Sequence, residues 1–106
     1  MIETITISKG IEEIGNMTFM HSQALNEVII PATVKTIGAQ AFFNCILLAD
    51  IVIPSSVTTM SNYAFSSIPS ITVHVPWKEG EKPEGWADAW NYPDSPDYTI
   101  TVDYAK

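Results

Sequence analysis

Residues that could perform acid-base, thiol or metal chemistry are few and widely spaced in this chain. The two histidines, His21 and His74, stand in no metal-binding motif with the single cysteine, Cys45. One cysteine also rules out an intramolecular disulfide. No nucleophile with a base, paired set of carboxylates or glycine-rich phosphate loop stands out. The sequence therefore predicts a non-enzymatic protein with no catalytic residue, no metal site and no cofactor.

Each of these residues has a simpler structural explanation. His21 is predicted to be a turn residue whose ring contacts the backbone. His74 aligns with outward strand positions, where it is either simply exposed or in contact with a partner. Cys45 aligns with Ser22 and Ile68, which favours a small apolar role in the core. A reactive thiol would need a nearby cation or helix start, and the neighbouring sequence supplies neither.

The C-terminal third is rich in acidic and aromatic residues. Three acidic residues there could suggest calcium: Asp94, Asp97 and Asp103. They lack the spacing and the glycine of an EF-hand loop, so a solvated acidic loop is the better interpretation. The three tryptophans are Trp77, Trp86 and Trp90. They are predicted to cover apolar side chains at the end of the fold, and the alternative is a sugar-binding shelf.

Composition sets the broad class of the molecule. The chain has 106 residues, of which 46% are hydrophobic and 16% charged, as expected for one folded domain. The net charge is -7, and five scattered lysines are the only cationic side chains besides histidine. This charge argues against binding to nucleic acid or to an anionic membrane surface. No apolar run is long enough to span a bilayer, and no signal peptide is recognisable.

A 23-residue period organises the first three quarters of the chain. Six positions stay apolar at this offset: Ile2, Leu25, Leu48, Ile71; Ile5, Val28, Ile51; Ile7, Ile30, Ile53; Ile11, Val34, Val57; Ile14, Ile37, Met60; and Phe19, Phe42, Phe65. One such turn cannot bury its own apolar face, so equivalent side chains must stack on one another. We expect the main core ladders to be Phe19, Phe42, Phe65 and Ile7, Ile30, Ile53.

Breaks in the pattern divide each repeat. Pro31 and Pro54 mark a bend after a strand-like segment, while Gly15 and Gly38 follow a second extended piece. The spacing shortens by one residue after Ile71, where the regular array ends. The predicted fold is a solenoid of about three 23-residue turns, with short parallel strands, an irregular convex side of short turns and an aromatic C-terminal cap. Residues 1–76 would form the array and residues 77–106 the cap of the same domain.

Two further elements are expected within the cap, where residues 84–90 could form one or two helical turns and residues 98–104 a short strand. At the other end, Ile2, Ile5 and Ile7 begin the first rung with nothing ahead of them to bury it. We therefore expect another chain or upstream repeats to cover this end.

Alternation along the strands predicts which side chains face outward. If Val28 and Ile30 point inward, Ile29 lies on the outer face. The resulting partner-binding surface is a ladder flanked by acidic residues: Thr6, Ile29, Val52 and His74, with Glu27 and Asp50 beside them.

The repeat resembles the BspA-like leucine-rich repeat of bacterial and protist surface proteins over residues 2–76. Its pattern is Leu25-x-x-Val28-x-Ile30-Pro31-x-x-Val34-x-x-Ile37-Gly38-x-x-Ala41-Phe42-x-x-Cys45-x-x-Leu48. The resemblance implies a leucine-rich-repeat fold and a non-enzymatic role in adhesion or in binding host or neighbouring-cell proteins. Residues 71–81 also resemble a module that closes such arrays in gut-bacterial surface proteins and phage virion proteins.

The leading functional prediction is a non-catalytic protein-binding or adhesion module that presents a solenoid surface to a protein partner. One alternative is a structural or receptor-contacting component of a phage virion or surface appendage. A second alternative is a glycan-binding terminal module that uses the tryptophans. The resemblance implies a cell-surface or secreted location, or a virion.

Overall fold

The computed structural model describes residues 3–106, and its regular structure in that range consists of eight short β-strands. They are β1 (Thr4–Thr6), β2 (Glu13–Ile14), β3 (Glu27–Ile29), β4 (Thr36–Ile37), β5 (Asp50–Val52), β6 (Thr59–Met60), β7 (Ser70–His74) and β8 (Thr99–Asp103). Isoleucine, valine and threonine dominate them, because β-branched side chains favour the extended backbone. Turns and bends join the strands.

All strand pairing within this range is parallel. β1 pairs with β3, β2–β4–β6 form a second sheet, and β5–β7–β8 form a third. In the second sheet Ile14 lies opposite Ile37, which lies opposite Met60, so the repeat offset of 23 is also the strand register. In the third sheet Asp50 lies opposite Thr72, one residue less, where the sequence spacing shortens.

The three sheets do not merge into a single closed solenoid. β3 lies next to β5, yet no strand ladder joins them in the described part of the chain. This departs from the continuous stack that the 23-residue pattern predicts. Side-chain periodicity specifies which residues are neighbours, but it does not specify the backbone distance between two turns.

Left-handed backbone conformations recur with the same period. Met17, Gln40 and Tyr63 have φ values of 59°, 55° and 61°, each 23 residues from the next. A second set follows four residues later in each turn: His21, Asn44 and Ser67. Positive φ allows the chain to reverse within a few residues, although it is unfavourable for most side chains. Two such positions therefore produce the compact turn around each phenylalanine.

The C-terminal segment continues the backbone hydrogen bonding of the preceding turn. Met60 N donates to Gly85 O and Ala87 N donates to Met60 O, so Trp86 extends the second sheet by one bridge. The helical turns expected over residues 84–90 are a wrong prediction, because this pairing requires extended backbone at Trp86. The expected strand is confirmed as β8, which pairs with β7.

Aromatic side chains form a continuous column through the core. Phe42 lies between Phe19 and Phe65, with ring centroids 5.4 Å apart on both sides. Phe65 then meets the edge of Trp90 at 6.2 Å, and Trp90 lies 5.0 Å from Trp86. The column is completely buried except at Phe19, which is partly exposed.

The ladder of Ile7, Ile30 and Ile53 is also less buried at its N-terminal end. Ile30 and Ile53 are buried, whereas Ile7 is partly buried. Ile2, the first member of another predicted ladder, lies outside the described residues. That another chain or upstream repeats cover this end stays a prediction.

Candidate functional site

The predicted outward ladder occupies one face of the first and third sheets. Thr6 lies opposite Ile29 across β1 and β3, and Val52 lies opposite His74 across β5 and β7. Ile29 is 50% exposed and Val52 is 65% exposed, although the residues directly before and after each of them in the chain are buried. This face therefore presents two adjacent aliphatic side chains to solvent.

Acidic side chains lie beside these aliphatic residues. Glu27 precedes Ile29 by two positions on β3, and its Oε1 accepts a hydrogen bond from Thr4 Oγ1 at 3.1 Å. Asp50 occupies the same position relative to Val52 on β5. Because alternate residues of a strand share a face, both carboxylates lie on the aliphatic side of the sheet.

His74 links two carboxylates across three strands. Its Nε2 lies 2.5 Å from Asp50 Oδ1, and its Nδ1 lies 2.6 Å from Asp103 Oδ2. The hydrogen bond to Asp103, with a smaller contribution from Asp50, raises the pKa of His74 above its ordinary value. A protonated ring donates from both nitrogens and fits this arrangement. His74 thus anchors Asp50 and Asp103 on the sheet surface.

The sequence did not indicate this network. The sequence predicts only a solvated acidic loop for Asp103, and its partner His74 lies 29 positions away, outside the 23-residue period. Only the register of β8 against β7 brings them together. Asp94 has a separate role: its carboxylate accepts hydrogen bonds from Ser67 N at 3.0 Å and from Ser67 Oγ at 2.7 Å.

A groove separates β3 from β5 on the same face. It has a volume of about 430 Å³ and is lined by Asn26, Glu27, Val28, Ile29, Ile30, Asp50, Ile51, Val52 and Pro54. We call this groove the seam. Four of the six predicted partner-binding residues line it, namely Ile29, Val52, Glu27 and Asp50. Thr6 and His74 lie on the strands to either side.

The other two residues that could perform chemistry, Cys45 and His21, make contacts that belong to the fold. Cys45 is completely buried, and its thiol donates to Phe19 O at 3.1 Å. Burial raises the pKa of this thiol to about 11, so it is protonated at neutral pH. His21 does have a turn conformation, but its ring meets Asn44 Nδ2 at 2.8 Å and the edge of Phe43 rather than the backbone.

The tryptophans form a packed cluster. Trp86 and Trp90 are 0% and 2% exposed, and Trp86 Nε1 donates to Val57 O at 3.2 Å. Trp77 packs edge-on against Trp86 at 5.3 Å. The burial of Trp86 and Trp90 agrees with the predicted role of covering apolar side chains. The alternative, a shelf of three tryptophans open to a sugar, does not fit, because two of the rings are in the core.

Within residues 3–106, no group of three or more histidine, cysteine or acidic side chains is arranged to hold a metal ion. Nor does the same range contain a helix of the length and apolarity needed to cross a membrane.

Comparison with known families matches residues 1–79 to the model described as "BspA type Leucine rich repeat region (6 copies)". The chain belongs to the BspA-type leucine-rich-repeat family. Leucine-rich-repeat families are generally non-catalytic modules that commonly mediate protein interactions, and the BspA-like family is typically surface-associated. Searches of curated proteins and of solved structures gave no significant match.

Proposed function

We propose that this BspA-type leucine-rich-repeat protein is a non-catalytic adhesion module that binds a protein partner through its strand face. The face consists of Thr6, Ile29, Val52 and His74 together with Glu27 and Asp50. We further propose that the repeats form about three turns of a solenoid and that residues 77–106 cap the array. The virion or appendage role stays a prediction of the sequence.

One observation carries the proposal: Ile29 and Val52, the last residues of β3 and β5, are half or more exposed. Interface energy is usually concentrated in a few residues that become desolvated on binding, with polar residues around them. The two aliphatic side chains form such a centre, and Glu27, Asp50 and Thr6 form its polar surroundings. Core packing does not require Ile29 or Val52 to be apolar, because their side chains point away from the core.

The direct test places a photo-activated cross-linker at position 52 and, as a control, at position 47. Leu47 is also aliphatic and is 53% exposed, but it lies in the turn before β5. We expect a specific cross-linked protein from the native cell surface with the probe at position 52 and not with the probe at position 47. Equal cross-linking at both positions, or none at position 52, would reject this face.

Substitution then measures the contribution of the face to affinity for the cross-linked protein. Ile29→Thr combined with Val52→Thr keeps β-branched side chains while removing apolar surface, and we expect at least tenfold weaker binding, or about 1.4 kcal/mol. The matched control is Ile46→Thr combined with Leu47→Thr, a pair of similar exposure outside the face. Circular dichroism spectra of both double variants should match that of the wild type.

A further inference from the structure

The seam exposes main-chain groups that a continuous sheet would pair. On β3, Glu27 N donates to Glu3 O and Ile29 O accepts from Ile7 N, so these residues direct their backbone groups toward β1. Alternate residues of a parallel strand bond to opposite sides, which directs the amide and carbonyl of Val28 toward β5.

On the other side of the seam, β5 also directs backbone groups into the groove. Ile53 N donates to His74 O, and the odd-numbered residues of β5 bond to β7. The backbone groups of Asp50 and Val52 consequently point toward β3. No ladder crosses the seam within residues 3–106, so the backbone carbonyls of Val28, Asp50 and Val52 are available to a ligand.

The side chains of the seam combine negative charge with apolar walls. Glu27 and Asp50 line the groove from opposite strands, and Ile29 and Val52 stand beside them. None of the five lysines lines it, and Glu27 forms no ion pair within the described range. Asp50 is paired with His74 but remains 66% exposed. A cation bound here would therefore find an unpaired carboxylate, a second one nearby and open carbonyl acceptors.

We propose that the seam is a recognition groove for an arginine side chain of the protein partner. The methylene stem packs against Ile29 and Val52, and the guanidinium donates to Glu27, Asp50 and the open carbonyls. Arginine fits better than lysine, because its planar head carries five donors in a fixed fork while its stem covers apolar surface. This inference rests on the proposed function, since it specifies the chemistry of the partner at the same face.

The test uses a synthetic pentapeptide, blocked at both ends, in which two arginines alternate with three leucines. Its neutral counterpart replaces both arginines with citrulline, which has nearly the same shape and no charge, and a third peptide carries lysines. Binding is measured from amide chemical shifts of the ¹⁵N-labelled protein. We expect the arginine peptide to shift residues 26–30 and 50–52 most, and to bind at least fivefold more tightly than either of the other peptides.

The variant Glu27→Gln should weaken arginine-peptide binding at least fivefold. The control Glu13→Gln changes an exposed glutamate on β2, in another sheet, and should leave binding unchanged. Equal affinity for the citrulline or lysine peptide, or shifts centred outside the seam, would overturn the arginine assignment. So would equal binding by wild type and Glu27→Gln.

Failure here is distinguishable from failure of the proposed function. If a partner cross-links at position 52 and binds Glu27→Gln as tightly as wild type, the strand face is the binding site but arginine recognition is refuted. If the arginine peptide binds the seam as expected while no partner cross-links at position 52, the groove chemistry holds and the adhesion role is rejected.

Discussion

Replacing Phe42 with alanine should remove the most strongly packed ring of the aromatic column. Phe42 is completely buried and has a stacked neighbour on each side, whereas Phe19 is partly exposed and stacks on one. Truncating a buried phenylalanine typically costs about 3–5 kcal/mol through lost burial and the cavity left behind. We expect about 4 kcal/mol for Phe42→Ala and roughly half of that for Phe19→Ala.

A loss of this size is a large part of the roughly 5–15 kcal/mol that stabilises a typical domain. Urea unfolding monitored by tryptophan fluorescence measures it, because Trp90 packs against Phe65 in the same column. Phe43→Ala is the matched control, since Phe43 is adjacent in sequence but only partly buried and outside the column. If Phe42→Ala cost no more than Phe43→Ala, or less than about 1.5 kcal/mol, stacking of equivalent rings would not be what stabilises the repeats.

Other perturbations test separate parts of the structure. Cys45, with its pKa raised to about 11, should react with a thiol reagent at pH 7 only as fast as the protein unfolds, and prompt labelling in native buffer would contradict its burial. Asp103→Asn should lower the pKa of His74 toward its ordinary value of 6.5, as followed by NMR titration of the ring, and an unchanged pKa would dismiss the hydrogen bond as its main cause. Because the folded pKa of His74 is raised, its contribution to the free energy of unfolding should be complete below about pH 6.5 and disappear as the pH rises through the folded pKa. Gly38→Ala should destabilise by about 1–3 kcal/mol, since its Cβ would lie 2.6 Å from backbone of the preceding turn, while Gly15→Ala, whose Cβ would lie 3.4 Å from a threonine hydroxyl, should cost far less in the same urea assay.

Regular spacing made part of the fold predictable. A rung such as Ile14, Ile37 and Met60 is apolar at every turn, so its members can be aligned without any structural information, and the strand register follows that alignment. The one-residue shortening near Ile71 was likewise visible in the sequence and reappears in the pairing of β5 with β7.

Features outside the period could not be predicted in this way. The offset between His74 and Asp103 is 29, and no repeated pattern connects them. The left-handed positions are regular in structure but carry unrelated side chains, including Met17 and Tyr63, and among the two periodic sets only Asn44 carries the usual glycine or asparagine signal. The seam depends on backbone separation, whereas Val28 and Ile51 continue their ladder in sequence as though the sheet were unbroken.

The alternation that builds the core also separates stability from recognition. On β5, Ile51 is buried and Val52 is 65% exposed, although they are adjacent in sequence. Truncating the inward residue costs several kcal/mol, whereas surface substitutions usually change stability by less than about 0.5 kcal/mol. Outward residues such as Ile29 and Val52 can therefore change identity without unfolding the chain. Under the proposed function, the residues that contact the partner are not the residues that stabilise the fold, so a change of partner would require changes on one face only.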